Sequence, residues 1–207
     1  MEQRSPEWFA ERCGRVTASA IYKVMARTKT GYGADRANYH AQLVTERLTG
    51  RREESFTNAA MQWGVDTEPQ ARAAYAMETG ILPVEVGFIR HPTIAMSGAS
   101  PDGLVGDDGM LEVKCPNSAT HIATLTGASI DRKYEYQMQW QMACSGRDWC
   151  DFMSFDPRMP DEMQGHIVRV MRDTRLIDEL ESEVRKFLAE VDATVASLRS
   201  RYMAEAA

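Results

Sequence analysis

The sequence predicts a mixed α/β (α+β) fold in which a small mixed central sheet is flanked by helices. Three observations carry this expectation. Apolar residues recur at helical spacing near both ends of the chain, the spacing drops to two between Leu82 and Lys114, and two more alternating runs follow a second helical region. At 207 residues, 43% hydrophobic and 26% charged, the chain has the composition of a folded protein and the length of one core. No repeat, low-complexity tract or Ser/Pro-rich linker divides it, so residues 1–207 read as a single domain.

Taken in order, Asp35 to Leu48 reads as a helix with Tyr39, Leu43, Val44 and Leu48 on one face, stopped by Gly50. The preceding Thr30-Gly31-Tyr32-Gly33 lacks the spacing of a phosphate cradle and reads as a flexible connection. A helical stretch from Thr57 to Trp63 is interrupted at Gly64. A new helix then starts at Pro69, a residue suited to a first turn, with Asp66 or Thr67 as cap, and runs to Gly80. Val84, Val86 and Phe88 alternate, Ile94 to Met96 continues, and Gly103-Leu104-Val105 faces Met110 to Lys114 across Gly106-Asp107-Asp108-Gly109, which together predict an antiparallel meander. Ser118 to Thr126 and Ile130 to Cys144 return to helical composition, and Trp149 to Phe155 and His166 to Val170 are strand-like. Leu176, Leu180, Val184, Phe187, Val191 and Leu198 trace one face of a long C-terminal helix.

The formal net charge of -6 argues against a nucleic-acid binder until it is divided along the chain. Residues 1–52 hold ten Lys and Arg against five Asp and Glu, a net +5, and the remainder carries 14 against 25, a net -11. Arg12, Arg15, Lys23, Arg27, Lys29, Arg36, Arg47, Arg51 and Arg52 can therefore form a local phosphate-binding surface, or simply a solvated mixed one. Cys13, Cys115, Cys144 and Cys150 are widely spaced, as are the four histidines, which argues for free thiols and against a zinc or iron–sulfur centre. No run approaches the roughly 18 apolar residues of a membrane span, and the first residues lack the apolar core of a secretory signal. A cytoplasmic protein with no membrane partner is expected.

Chemistry concentrates at Ser100-Pro101-Asp102-Gly103 and Glu112-Val113-Lys114. Alternation along a strand puts Glu112 and Lys114 on one face and Val113 on the other, and a hairpin of this length can return Glu112 beside Asp102. Two carboxylates so close raise each other's proton affinity, and a divalent cation would hold both ionised. Oxygen ligands suit Mg²⁺ or Mn²⁺, and a magnesium ion bound by few carboxylates keeps places for phosphate oxygens. A surface hairpin with a cross-strand salt bridge is the alternative. Glu68 can serve a second metal or its water, or merely favour a helix N-terminus. Gln137 and Gln139 lie two apart beside Tyr136 and Trp140, so at least one faces inward and needs a partner, such as an active-site water.

The segments Trp8…Arg12-Cys13-Gly14-Arg15-Val16-Thr17-Ala18-Ser19, Trp63-Gly64-Val65-Asp66-Thr67-Glu68, Ala99-Ser100-Pro101-Asp102-Gly103-Leu104, Leu111-Glu112-Val113-Lys114-Cys115-Pro116, Gln137-Met138-Gln139 and Phe155-Asp156-Pro157-Arg158-Met159, in this order, closely resemble the phage lambda exonuclease (YqaJ-type alkaline exonuclease) branch of the PD-(D/E)XK nucleases. The resemblance spans nearly the whole chain. It implies a restriction-endonuclease-like core and a 5′-to-3′ exonuclease that digests one strand of linear duplex DNA to mononucleotides, leaving a 3′ single strand for recombination. By the same resemblance Asp102, Glu112 and the Val113 carbonyl hold one Mg²⁺, Glu68 and Asp102 lie at or near another, Lys114 is the catalytic lysine, and Gln139 sits near the attacking water. Arg12, Ser19 and Ser100 match positions that hold the terminal 5′-phosphate, where an arginine and hydroxyls suit a dianion. Ser19 also fits a helix N-cap before Ala20 to Val24. Met61 falls where the family places an apolar strand wedge, though an apolar residue there also fits a core. The family further implies a ring-shaped homotrimer around DNA and a possible single-strand annealing partner. A structure- or site-specific endonuclease of the same fold, and a non-catalytic DNA-binding module, are the rival readings.

Overall fold

A computed structural model describes residues 2–52 and 58–203. The N-terminal part is a series of short elements: α1 (Pro6–Arg12), β1 (Val16–Thr17), a 3-10 turn (Ala18–Ala20), α2 (Ile21–Val24) and a hairpin of β2 (Arg27–Thr28) and β3 (Gly31–Tyr32). The long helices α3 (Ala34–Thr49) and α4 (Ala59–Thr79) follow. Next come β4 (Ile89–Arg90), β5 (Ser97–Ala99), β6 (Gly103–Val105), β7 (Gly109–Lys114), α5 (Ser118–Leu125), α6 (Arg132–Ser145), β8 (Trp149–Phe155), β9 (Gly165–Met171) and α7 (Thr174–Tyr202). This is a mixed α+β arrangement with small mixed sheets, of restriction-endonuclease-like type.

Apart from the two-stranded β2/β3 hairpin, the described strands form two sheets. One runs β1-β5-β4, with β1 and β5 parallel, and the other runs β6-β7-β8-β9, with β7 and β8 parallel and the remaining pairs antiparallel. The expected continuous meander is thus corrected. The chain leaves one sheet after β5 and enters the other at β6, so Ala99 and Gly103 lie on either side of the segment that carries Ser100 and Asp102. Val84 makes only an isolated bridge to Leu104, and Ile94 to Met96 is a turn rather than a strand, with Ile94 buried and Ala95 exposed. The parallel β7/β8 pair needs a crossover, which α5 and α6 supply.

The four-stranded sheet is packed on both faces. Leu111, Val113, Met153 and Phe155 meet Ala71 and Tyr75 of α4 on one side, and Met110, Cys150 and Phe152 meet Met138 and Met142 of α6 on the other. A third cluster joins α2, α3, α6 and α7 through Ile21, Tyr39, Leu43, Trp140, Leu180, Val184 and Phe187. Full burial of each such side chain contributes about 1.5–3 kcal/mol, so the sheet is clamped where its strand ends must hold chemistry.

α4 corrects a second expectation. Instead of a break at Gly64 and a new start at Pro69, one helix runs from its Asn58 cap to Gly80, with Pro69 inside it. An internal proline and glycine together cost about 4 kcal/mol of helix propensity, and the fully buried Ala71 and Tyr75 anchor the helix against that cost. Asp66 and Thr67 are therefore mid-helix residues, not caps, and Glu68 lies within a helix rather than ahead of one. The expected start at Thr57 falls outside the described residues. The glycine-rich segment is not a mere connection: Thr30 closes the hairpin turn and Gly31 and Tyr32 form β3, with Gly31 at φ +150°.

Candidate active site

The antiparallel β6/β7 register pairs Gly103 with Leu111, and it fixes the carboxylate before it. The Asp102 backbone N–H donates to the Leu111 carbonyl at 3.1 Å, and the Asp102 carboxylate accepts from the Val113 N–H at 2.7 Å. Leu111 and Val113 point into the α4 cluster, so Glu112 and Lys114 emerge on the α6 side. Lys114 pairs directly with Glu112. Asp102, Glu112, Val113, Lys114 and Glu68 all line one cleft of about 1060 Å³.

Glu112 is only 1% exposed, and a buried carboxylate needs donors for both oxygens. Lys114 and the Gln137 amide (2.6 Å) donate to Oε1, and the Gln141 amide donates to Oε2 at 2.6 Å. Gln137 and Gln141 are four apart on α6 and share a face. Gln139 does not join them. Its Nε2 donates to the Met171 carbonyl and its Oε1 accepts from Asp173 N–H, so it ties α6 to the β9/α7 junction. The expected role for Gln139 is therefore corrected. A two-residue step on a helix turns the side chain through about 200°, to the opposite side, and Gln137 is the glutamine that faces the cleft. The i, i+4 spacing was the signal for Gln141.

Glu68 reaches the cleft from α4 and is held by Arg4 (2.7 Å) and Arg72. Arg4 has a left-handed backbone, φ +67°, costly for a residue with a side chain. Its neighbour Gln3 is pinned by Nε2 hydrogen bonds to the carbonyls of Val86 and Pro101. Met61 is 50% exposed on the cleft wall and is not a core residue.

At the other end of the cleft the Ser100 hydroxyl accepts from Trp8 Nε1 at 2.9 Å and from Arg12 at 3.4 Å, with the guanidinium 4.0 Å from the Trp8 ring centre. Arg12 Nε is buried without a hydrogen-bond partner among the described residues. Burial, and then the charge of Arg52, push Arg12 down to about 10, still charged at neutral pH. Ser19 also lines this end. It does not cap α2, whose N-cap is Ala20, and it lies in the 3-10 turn with its hydroxyl 3.4 Å from that of Thr17. Trp8 of α1 anchors Ser100 through a contact between residues 92 positions apart, which only the fold brings together.

Charge crowding defines the electrostatics. Burial first, and then the charge of Glu112, push the Asp102 carboxyl well above the usual carboxylate range. For Lys114 burial opposes the charge, but Glu112 and Asp102 outweigh it and hold the ammonium above the ordinary lysine range. Asp102 is thus a carboxyl that an added cation would keep ionised. Among the described residues no three His, Cys, Asp or Glu side chains are gathered into a metal cage. The oxygen donors present fit a hard divalent ion that retains water and phosphate oxygens as its other ligands. The four cysteines are free.

Fold and cleft together define a nuclease of restriction-endonuclease-like architecture. The YqaJ-like viral recombinase domain matches residues 7–148, and the chain belongs to that family. It is 52% identical to LHK-Exo, an alkaline exonuclease from Laribacter hongkongensis, with a TM-score of 0.90 over 98% of this chain and 100% of that one; LHK-Exo has also been solved in complex with dAMP. A phage-related exonuclease from Haemophilus somnus 129PT shares the fold at 17% identity, with a TM-score of 0.68 over 89% of this chain and 96% of the other. The uncharacterized protein R354 of Acanthamoeba polyphaga mimivirus is 26% identical over 166 residues, 73% of this chain, and the chain spans 29% of that protein's length. No helix among the described residues is long and apolar enough to cross a membrane.

Proposed function

We propose that this nuclease is a Mg²⁺-dependent 5′-to-3′ exonuclease that digests one strand of linear duplex DNA to mononucleotides and leaves a 3′ single-stranded tail for strand annealing. One observation carries the reading. A buried, incompletely partnered arginine, Arg12, converges with Ser100 two residues from Asp102, so a site for a terminal phosphate adjoins the carboxylates. The dAMP complex of LHK-Exo supports a mononucleotide product.

Asp102, Glu112 and the Val113 carbonyl would hold one divalent ion, Mg²⁺ with Mn²⁺ as substitute, and Glu68 with Asp102 a second. Such ions supply a nucleophile at neutral pH and neutralise charge on the phosphoryl group. The chain's own residues do the rest. Lys114 stabilises negative charge that builds up on the scissile phosphate, and Gln137, on the cleft side of α6, takes the water-positioning role first assigned to Gln139. Arg12, Ser19 and Ser100 hold the terminal 5′-phosphate by charge-assisted hydrogen bonds. Met61 parts the strands, a role its exposure on the cleft wall supports. The working form is a cytoplasmic single-domain chain in a ring-shaped homotrimer, with a single-strand annealing protein as partner.

The test is digestion of end-labelled linear duplex with and without Mg²⁺, comparing phosphorylated and dephosphorylated 5′ ends, beside closed circular duplex. Mg²⁺-dependent mononucleotide release from phosphorylated 5′ ends is expected. Cutting of the circle would make the protein an endonuclease, and binding without release would leave a DNA-binding module.

A further inference from the structure

Gln141 is completely buried, and its amide faces two ways. Nε2 donates to Glu112 Oε2 at 2.6 Å, while Oε1 has no hydrogen-bond partner among the described residues. A buried unpaired amide oxygen costs about 1–3 kcal/mol. An apolar residue would suit its neighbours better, since Met138 and Met142 on the same helix pack into the apolar cluster under the sheet. Local rules broken in this way point to a functional constraint. Gln137 lines the cleft and can meet solvent or substrate there. Gln141 is absent from the cleft lining, so it acts on the chemistry only through the carboxylate it holds.

We propose that Gln141 is a positioning residue that sets the divalent-cation affinity of the site by fixing the Glu112 carboxylate. Two amides from successive turns of α6 grip the two oxygens of Glu112, so its orientation is set by a helix and not by the flexible Lys114. Loss of a partner that orients a ligand costs roughly 10- to 100-fold in metal affinity. The inference rests on the reading that Glu112 takes part in holding a divalent ion.

The experiment titrates Mn²⁺ into the full chain without DNA by calorimetry, using the native protein, Gln141→Met, Gln141→Asn and Glu112→Gln, with thermal unfolding of each recorded in EDTA. About tenfold weaker Mn²⁺ binding is expected for both Gln141 variants, with unfolding midpoints close to native. Native-like Mn²⁺ affinity in a folded Gln141 variant overturns the proposal, as does a lowered midpoint with affinity unchanged. Failure of both variants to fold assigns the amide to stability and overturns it too. If the native chain takes up no Mn²⁺, or Glu112→Gln binds it equally well, the reading of Glu112 fails instead, and the inference falls with it.

Discussion

The Val113 backbone N–H donates to the Asp102 carboxylate at 2.7 Å, so the main chain of the strand bearing Glu112 and Lys114 fixes a second acidic group of the cleft. The geometry of the pair is set by sheet register rather than by side-chain rotamers, which keeps two mutually repelling carboxylates in place.

Asp102→Asn retains the acceptor for Val113 N–H and removes the charge. Nuclease activity should fall by at least about 10²-fold, on the order of a lost catalytic electrostatic contact, while the unfolding midpoint in EDTA stays level or rises because repulsion with Glu112 is relieved. The shift has a defined sign: a carboxyl raised in the folded state destabilises the fold as pH climbs from the unfolded carboxylate value through the folded one. Asp102→Asn should flatten that decline in EDTA. Residual activity near the native level would remove Asp102 from the site.

Lys114→Met keeps the aliphatic stem and deletes the ammonium. Turnover should drop roughly 10²-fold or more, with DNA affinity measured in Ca²⁺ changing by less than about tenfold. Equal losses in both would assign the lysine to binding.

Arg12→Gln should chiefly erode the preference for 5′-phosphorylated over 5′-hydroxyl ends. A charged hydrogen bond is worth about 1.5–3 kcal/mol, so the ratio of initial rates on the two substrates should narrow by 10- to 100-fold. An unchanged ratio would count against a terminal-phosphate site.

His91 provides a pH test away from the cleft. It is 4% exposed and stacked on Trp140 at 4.9 Å, and its Nδ1 accepts from the N–H groups of both Thr93 and Ile94. Burial lowers its proton affinity, only partly offset by Glu181, 3.3 Å from Nε2. A histidine depressed in the folded state contributes its full stability above the unfolded value of about 6.5 and loses it as pH falls through the folded one. Unfolding free energy should therefore decline below pH 6.5 with a slope of up to about 1.4 kcal/mol per pH unit from this group. His91→Asn, which keeps an acceptor for the two amides, should remove that component in denaturant titrations at successive pH values.

Gly98 tests the small sheet. A Cβ there would lie 2.5 Å from the Ile89 carbonyl oxygen and against the Phe88 ring. Gly98→Ala should cost about 1–3 kcal/mol by overpacking and lower the unfolding midpoint. Since Ser100 is two residues away, discrimination between 5′ ends should suffer as well.

Periodicity and composition located α3, α5, α6, β8, β9 and α7 to within a few residues, and the signal is strongest in α3 and α7, which each bury one apolar face. It also brought Asp102 against β7, since a tight hairpin leaves its strands little freedom of register. The chain's own residues misled at α4, where Gly64 and Pro69 are local breakers that the burial of Ala71 and Tyr75 overrides. They also left α1 unseen: seven residues are too few to show a period, and the helix is held by the Ser5 cap and by Trp8 reaching Ser100.

What the sequence determined by itself was the set of chemical groups and the strand that presents Glu112 and Lys114 together, both fixed by local covalent spacing. Which glutamines hold Glu112, and the convergence of Arg4, Arg12 and Glu68 on one cleft, were decided only by the tertiary structure. Those contacts join residues tens of positions apart, and they depend on how α4 and α6 pack across the sheet, which no pattern along the chain records.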